Sequence, residues 1–278
     1  MPLSRQHILV FVISLALTVF TAATAAPLPR VKPAPPEPVY LSSSDYNTLS
    51  AYFEALDARQ WSRARQQQAN LTDPVAQSLA QWAWLRKNPP SLDFTTAGRF
   101  IDSHQDWPSI GYIQQLAEKS ISEDADPAPV LSFFATKTPR TGTGHLRLAQ
   151  ALLATGDTDK AAVHLRKAWI EHDWGSTNER EIVRYYGTYL SEEDHARKAD
   201  RQLFEIVATN TRRLLPYLSA SEKRKAEARI ALLRSDGNAI SLFNRLTPEE
   251  KADSGVLHAV TRYYRRKGVE LTAIGYAR

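Results

Sequence analysis

The sequence predicts an all-α protein, and three observations carry that reading. Ala, Leu, Arg, Gln and Glu are common, whereas only 11 Gly are present and alternating runs of Val, Ile and Thr are scarce. From Ser42 onward apolar residues recur at three- and four-residue spacing in one segment after another, with short breaks between. Residues 144–169, GHLRLAQALLATGDTDKAAVHLRKAW, read as one complete helix-turn-helix unit.

In that unit Leu146, Ala149, Leu152 and Leu153 lie on one helix face, because residues three, four and seven apart share a side. Gly156 ends the first helix, Asp157 opens the second, and Ala161, Leu165, Ala168 and Trp169 supply its inner face. Small residues at 149, 161 and 168 let two helix axes approach, with Leu165 and Trp169 filling the gaps beside them. Leu148-Ala149 stands where the tetratricopeptide pattern has Leu-Gly, and Ala161-x-x-x-Leu165 where it has Ala-x-x-x-Phe. His145, Leu152 and Asp173 depart from that pattern's Trp, Tyr and Pro. The expected architecture is an α-solenoid, a superhelix of tetratricopeptide-like helix pairs over residues 42–278; antiparallel pairs inside a globular bundle are the alternative. Residues 269–278 suffice to begin a helix but not to cap an array, so the superhelix is expected to be incomplete at its C-terminus.

Taken in order, residues 1–25 have a cationic start at Arg5, an apolar run over 8–20 and a small-residue end at Ala23-Thr24-Ala25, the pattern of a cleavable secretory signal peptide. An uncleaved anchor is the alternative, although the apolar run is short for a membrane span. Residues 26–41 hold six of the 16 prolines and read as an extended linker. Leu49, Tyr52, Phe53 and Leu56 form the first helical stripe, a turn over 57–60 follows, and Trp61 and Ala64 begin a partner. Asp73-Pro74 opens the next helix, with Val75, Leu79, Trp82 and Ala83 as its expected inner face. Phe100 and Ile101 mark another, and Trp107-Pro108 begins one lined by Ile110, Ile113, Leu116, Ala117 and Ile121. Pro127 and Pro129 read as a break before the central pair. Beyond it, Ser176 with Glu179 reads as a capping box, Ser191 with Asp194 as a helix start, and Thr247-Pro248-Glu249-Glu250 as a capping box with a first-turn proline. The segment with Leu257, Val260 and Tyr264 ends at Lys267-Gly268.

Composition bounds the function. The chain has no Cys, which excludes disulfides, thiolate metal sites and lipid attachment at a lipobox cysteine. A formal charge of +5 comes from Lys and Arg dispersed among Asp and Glu, so solvated helix faces are expected rather than a nucleic-acid partner.

Four pieces carry a family resemblance: ARQWSRARQQQANLTDPVAQSLAQWAWLRK (58–87), FIDSHQDWPSIGYIQQLAEKSI (100–121), FFATKTPRTGTGHLRLAQALLATGDTDKAAVHLRKAW (133–169) and YLSEEDHARKADRQLF (189–204). Their order, with the Asp106-Trp107-Pro108 helix start, resembles the N-terminal superhelical, non-catalytic region of the soluble lytic murein transglycosylases of bacterial periplasms. The resemblance implies a periplasmic, peptidoglycan-directed superhelical U-shaped domain. In the whole enzyme a separate domain cleaves the MurNAc-GlcNAc β-1,4 bond to a 1,6-anhydro product, using a Glu of a Glu-Ser pair. This sequence contains no Glu-Ser pair and its single Met is Met1, so no catalytic residue carries over. A periplasmic repeat scaffold that binds protein partners and has no enzymatic role is the other reading.

The candidate chemistry is sparse. Glycoside cleavage needs a carboxyl group of raised pKa in a cleft. The acidic clusters Glu179/Glu181, Glu192/Glu193/Asp194 and Glu249/Glu250 are placed in first helical turns, where capping is their expected role. His164 and His172 are eight apart on one predicted helix, and no His-Glu-x-x-His spacing occurs, so neither metal nor cofactor is expected. Six Trp residues are available for sugar stacking or for the core. Trp84 is the expected glycan contact, because it lies off the Val75/Leu79/Trp82 stripe.

Overall fold

The computed structural model describes residues 41–277, so the expected signal peptide and all but the last residue of the proline-rich linker lie outside the described residues. Every regular element among the described residues is helical, which makes this part of the chain all-α. The α-helices are α1 (Ser43–Asp57), α2 (Trp61–Ala69), α3 (Pro74–Arg86), α4 (Phe94–Ser103), α5 (Ile110–Ser120), α6 (Pro127–Phe134), α7 (Gly142–Ala154) and α8 (Thr158–Glu171). They continue as α9 (Ser176–Tyr186), α10 (Glu192–Phe204), α11 (Ala208–Thr211), α12 (Ala220–Arg234), α13 (Ala239–Asn244), α14 (Pro248–Lys251), α15 (Ser254–Arg266) and α16 (Glu270–Ala277). No helix among the described residues is long and apolar enough to cross a membrane.

Local chemistry sets most of the boundaries. Each helix start leaves backbone N–H groups without intrahelical acceptors, and side-chain oxygens supply them. Asp73 accepts from the Ala76 amide at 2.8 Å with Pro74 in the first turn, and Thr141 accepts from the Gly144 amide at 2.9 Å. Ser191 with Asp194 and Thr247 with Glu250 form reciprocal capping boxes. Gly156 and Gly268 take φ of 88° and 71° just past helix ends, a left-handed conformation that costs glycine nothing.

Packing joins helices that are close in order. Consecutive elements pair (α1 with α2, α4 with α5, α7 with α8, α12 with α13, α15 with α16), and a series α1–α3–α5–α7–α8–α10–α12–α15 runs along the chain. At its middle, Ala149, Ala161, Leu165 and Trp169 are 0% exposed, so the α7–α8 seam is the one the residue spacing described. Burying Leu165 alone contributes about 2 kcal/mol.

Three expectations are corrected. Val75 is 68% exposed; Ala83 is buried as expected and Leu79 and Trp82 pack half-buried on the core, but α3 also buries Ala76, Ala80, Trp84 and Leu85. Its alanines let α1 approach closely enough for the Tyr52 hydroxyl to donate to the Ala80 carbonyl. Pro127 and Pro129 do not break the chain but occupy the first turn of α6, where a missing N–H is harmless. Ser176 is the first residue of α9 and caps nothing; Glu179 turns inward, accepting from Arg213 Nε at 2.6 Å with Lys198 Nζ at 4.0 Å. The buried Lys198 ammonium and the half-buried Arg213 guanidinium together outweigh a cap that water can replace.

Candidate functional site

Trp84 does not reach solvent. Its side chain is 1% exposed, edge-on to Trp61 at 5.6 Å between ring centroids and covered by the Arg65 guanidinium 3.9 Å from its ring. The glycan contact expected there is therefore corrected to a core position. Helix α3 packs through Ala76, Ala80 and Ala83 and carries Trp84 inward with them.

A surface cleft of about 410 Å³ opens instead where α5, the start of α7 and the α8–α9 join come together. Lys119, Arg140, Gly142, His172 and Trp174 are among its walls. Trp174 is half-buried and packs partly on the core, its Nε1 donating to the Ala168 carbonyl at 2.8 Å, so its indole is fixed in the cleft wall. Gly142 is required at this wall, since a Cβ there would stand 2.8 Å from both His172 Cβ and Trp174 Cζ2.

Beneath the cleft lies Glu118, 0% exposed. Its carboxylate accepts from the Arg140 amide at 2.9 and 3.0 Å, the Thr141 amide at 2.8 Å, Thr141 Oγ1 at 2.7 Å and Gln114 Nε2 at 2.8 Å. The Arg140 and Thr141 amides leading into α7 are thus already bonded. The side chains of Lys119 and Arg140 supply the cations at the cleft wall.

The join that carries His172 and Trp174 is tied down from α10. Lys198, 0% exposed, donates to the carbonyls of Trp169 at 2.9 Å and His172 at 2.8 Å. Burial pulls its ammonium down to about 8, with Glu179 and Asp173 opposing that shift. Arg201 donates to the Ile170 carbonyl at 2.7 Å and pairs with Asp173 at 2.8 Å.

No family model, curated protein or solved structure matches this chain.

The acidic clusters are engaged in structure. Asp194 closes the α10 capping box, and Glu250 closes that of α14 while also pairing with Arg224. The bonds from Arg224 and Ser221 and from the Thr247 amide hold Glu250 at about 2, the opposite direction from a glycosidic general acid. The histidines gather more closely than their spacing implied. His172 lies just past α8 rather than on it, and His145 of α7 joins it. His145, Glu171 and His172 each offer a ligand atom within 4.8 Å of the others. Sequence spacing missed this group because His145 comes from the facing helix of the pair.

Proposed function

We propose that residues 42–278 form an α-solenoid of tetratricopeptide-like helix pairs that serves as the non-catalytic, peptidoglycan-directed part of a periplasmic lytic murein transglycosylase. In the whole enzyme such a part guides glycan strands to the module that breaks the MurNAc-GlcNAc bond. The order of the four signature segments supports the family reading, and the succession of helix contacts α1–α3–α5–α7–α8–α10–α12–α15 supports the array.

The observation that carries the glycan reading is the cleft beside α7. Trp174 offers an aromatic face to the apolar side of a sugar ring, and Lys119 and Arg140 offer cations to the carboxylates of stem peptides. Co-sedimentation with purified sacculi tests this: the chain is expected to pellet with sacculi and Trp174→Ala to weaken that, whereas a chain that stays in the supernatant refutes the reading.

A protein-binding scaffold is the second reading, favoured by one observation. Helix α16 leaves Leu271 86% and Ile274 49% exposed, an apolar surface suited to a protein partner. Recovery of a defined periplasmic protein without sacculus binding would select this reading over the first.

A further inference from the structure

Three imidazoles meet where α7, α8 and the α8–α9 join come together. His145 is 4% exposed, and its Nδ1 lies 2.9 Å from the Nδ1 of His164. On its other side the ring centroid of His172 is 5.8 Å away. Two neutral ring nitrogens at this separation share one proton, one donating and the other accepting. When Nδ1 of His145 carries that proton and donates it to His164, Nε2 keeps the lone pair that an ion needs.

We propose that His145, His172 and Glu171 form a binding site for a divalent transition-metal ion of the zinc class, with His164 holding the His145 ring in position. Their ligand atoms lie within 4.8 Å of one another. Ligands on a four-coordinate zinc stand roughly 3.3 Å apart, given bonds of about 2.0–2.1 Å, so small side-chain rotations close the set. Two imidazoles and one carboxylate, leaving a position open, suit zinc and its neighbours rather than calcium or magnesium, which take oxygen ligands.

The site is built rather than a chance meeting of surface groups. The His172 backbone is fixed by Lys198, the next residue is held by Arg201, and Gly142 leaves room for the His172 side chain against α7. A second histidine bonded to a ligand histidine is the kind of outer contact that fixes ring orientation and tautomer at metal centres. The charges around the cluster are mixed. Glu118 and Glu171 act on His172, while Lys167, Lys198 and Arg201 oppose a cation. This balance selects an ion that forms directed bonds to nitrogen over one held by charge alone. The inference does not rest on the glycan reading.

The test uses the chain without a polyhistidine tag, stripped with chelator, then titrated with zinc chloride by calorimetry, with bound metal counted by mass spectrometry. One zinc per chain and a raised Tm are expected. Glu171 is exposed, so Glu171→Gln keeps the fold, and both it and His172→Gln are expected to weaken binding more than about tenfold; His164→Ala is expected to weaken it by about 10- to 100-fold. His104→Gln and His258→Gln, far along the chain from the cluster, are expected to leave it unchanged. The absence of saturable zinc uptake overturns the proposal. So does an affinity that is the same in Glu171→Gln and His172→Gln as in the parent chain, with circular dichroism showing both variants folded.

Discussion

Replacing Glu118 by alanine tests how the α5–α7 junction is held. The change removes the acceptor for the Arg140 and Thr141 amides and for Thr141 Oγ1 in a place where Glu118 itself is 0% exposed, while Gln114 Nε2 keeps its bond to the Thr138 carbonyl. Each buried donor left without a partner costs about 1–3 kcal/mol, and the Arg140 amide is reachable by water, so the expected loss is about 4 kcal/mol. For a chain of this length that is a fall of roughly 10 °C in Tm. Urea and thermal denaturation followed by circular dichroism measure it. Gly144 supplies the control, because a Cβ there collides with the Glu118 carboxylate. Gly144→Ala alone is expected to cost about 1–3 kcal/mol through overpacking. In the Glu118→Ala background the same change enters vacated space and gains alanine's helix propensity, up to about 1 kcal/mol, so it is expected to be neutral or stabilising. If the two changes add within about 0.5 kcal/mol, or Glu118→Ala costs less than about 1 kcal/mol, the account of this junction is wrong.

Acid is expected to act through His145, whose imidazole burial holds at about 4 against an ordinary 6.5. The unfolded chain takes up a proton across that interval and the folded chain does not. The contribution of His145 to stability is therefore full above pH 6.5 and declines as pH falls from 6.5 to 4, by about 2 kcal/mol after allowance for solvent screening, and His145→Gln makes the slope in urea titrations shallower. Lys198, charged at neutral pH with a pKa of about 8 against an ordinary 10.5, gives stability that rises between pH 8 and 10.5. Lys198→Met removes that rise and costs about 1–3 kcal/mol by leaving the Trp169 and His172 carbonyls without their donor while Glu179 keeps Arg213, as measured by denaturation at both ends of the range. Trp84→Ala is expected to cost about 3–5 kcal/mol of stability while sparing sacculus binding of the folded fraction; Trp174→Ala is expected to do the reverse.

The helix starts were legible because a cap is written within four residues. Asp73-Pro74, Asp157, Ser191 with Asp194, and Thr247 with Glu250 all form as their local chemistry dictates. The central seam was legible because its small and large residues alternate at helical spacing on both partners. What failed depends on distant sequence. Ser176 with Glu179 satisfies the capping pattern, yet Arg213 and Lys198 draw the carboxylate away. The orientation of α3 is decided by where alanines permit contact with α1, which a count of bulky residues misses. In the candidate site the cleft residues come from three separate stretches around 119, 140 and 174, and the histidine cluster spans positions 145–172. The pairing of α7 with α8 brings them together, and only the helix pair itself was visible beforehand.

Every substantial helix contact among the described residues joins elements no more than five apart in order. A chain arranged in this way closes only short loops as it assembles, so the entropy of ring closure stays small at each step and folding is fast for its length. Among the described residues the α7–α8 seam is the most extensive, so amide exchange is expected to reach that pair last.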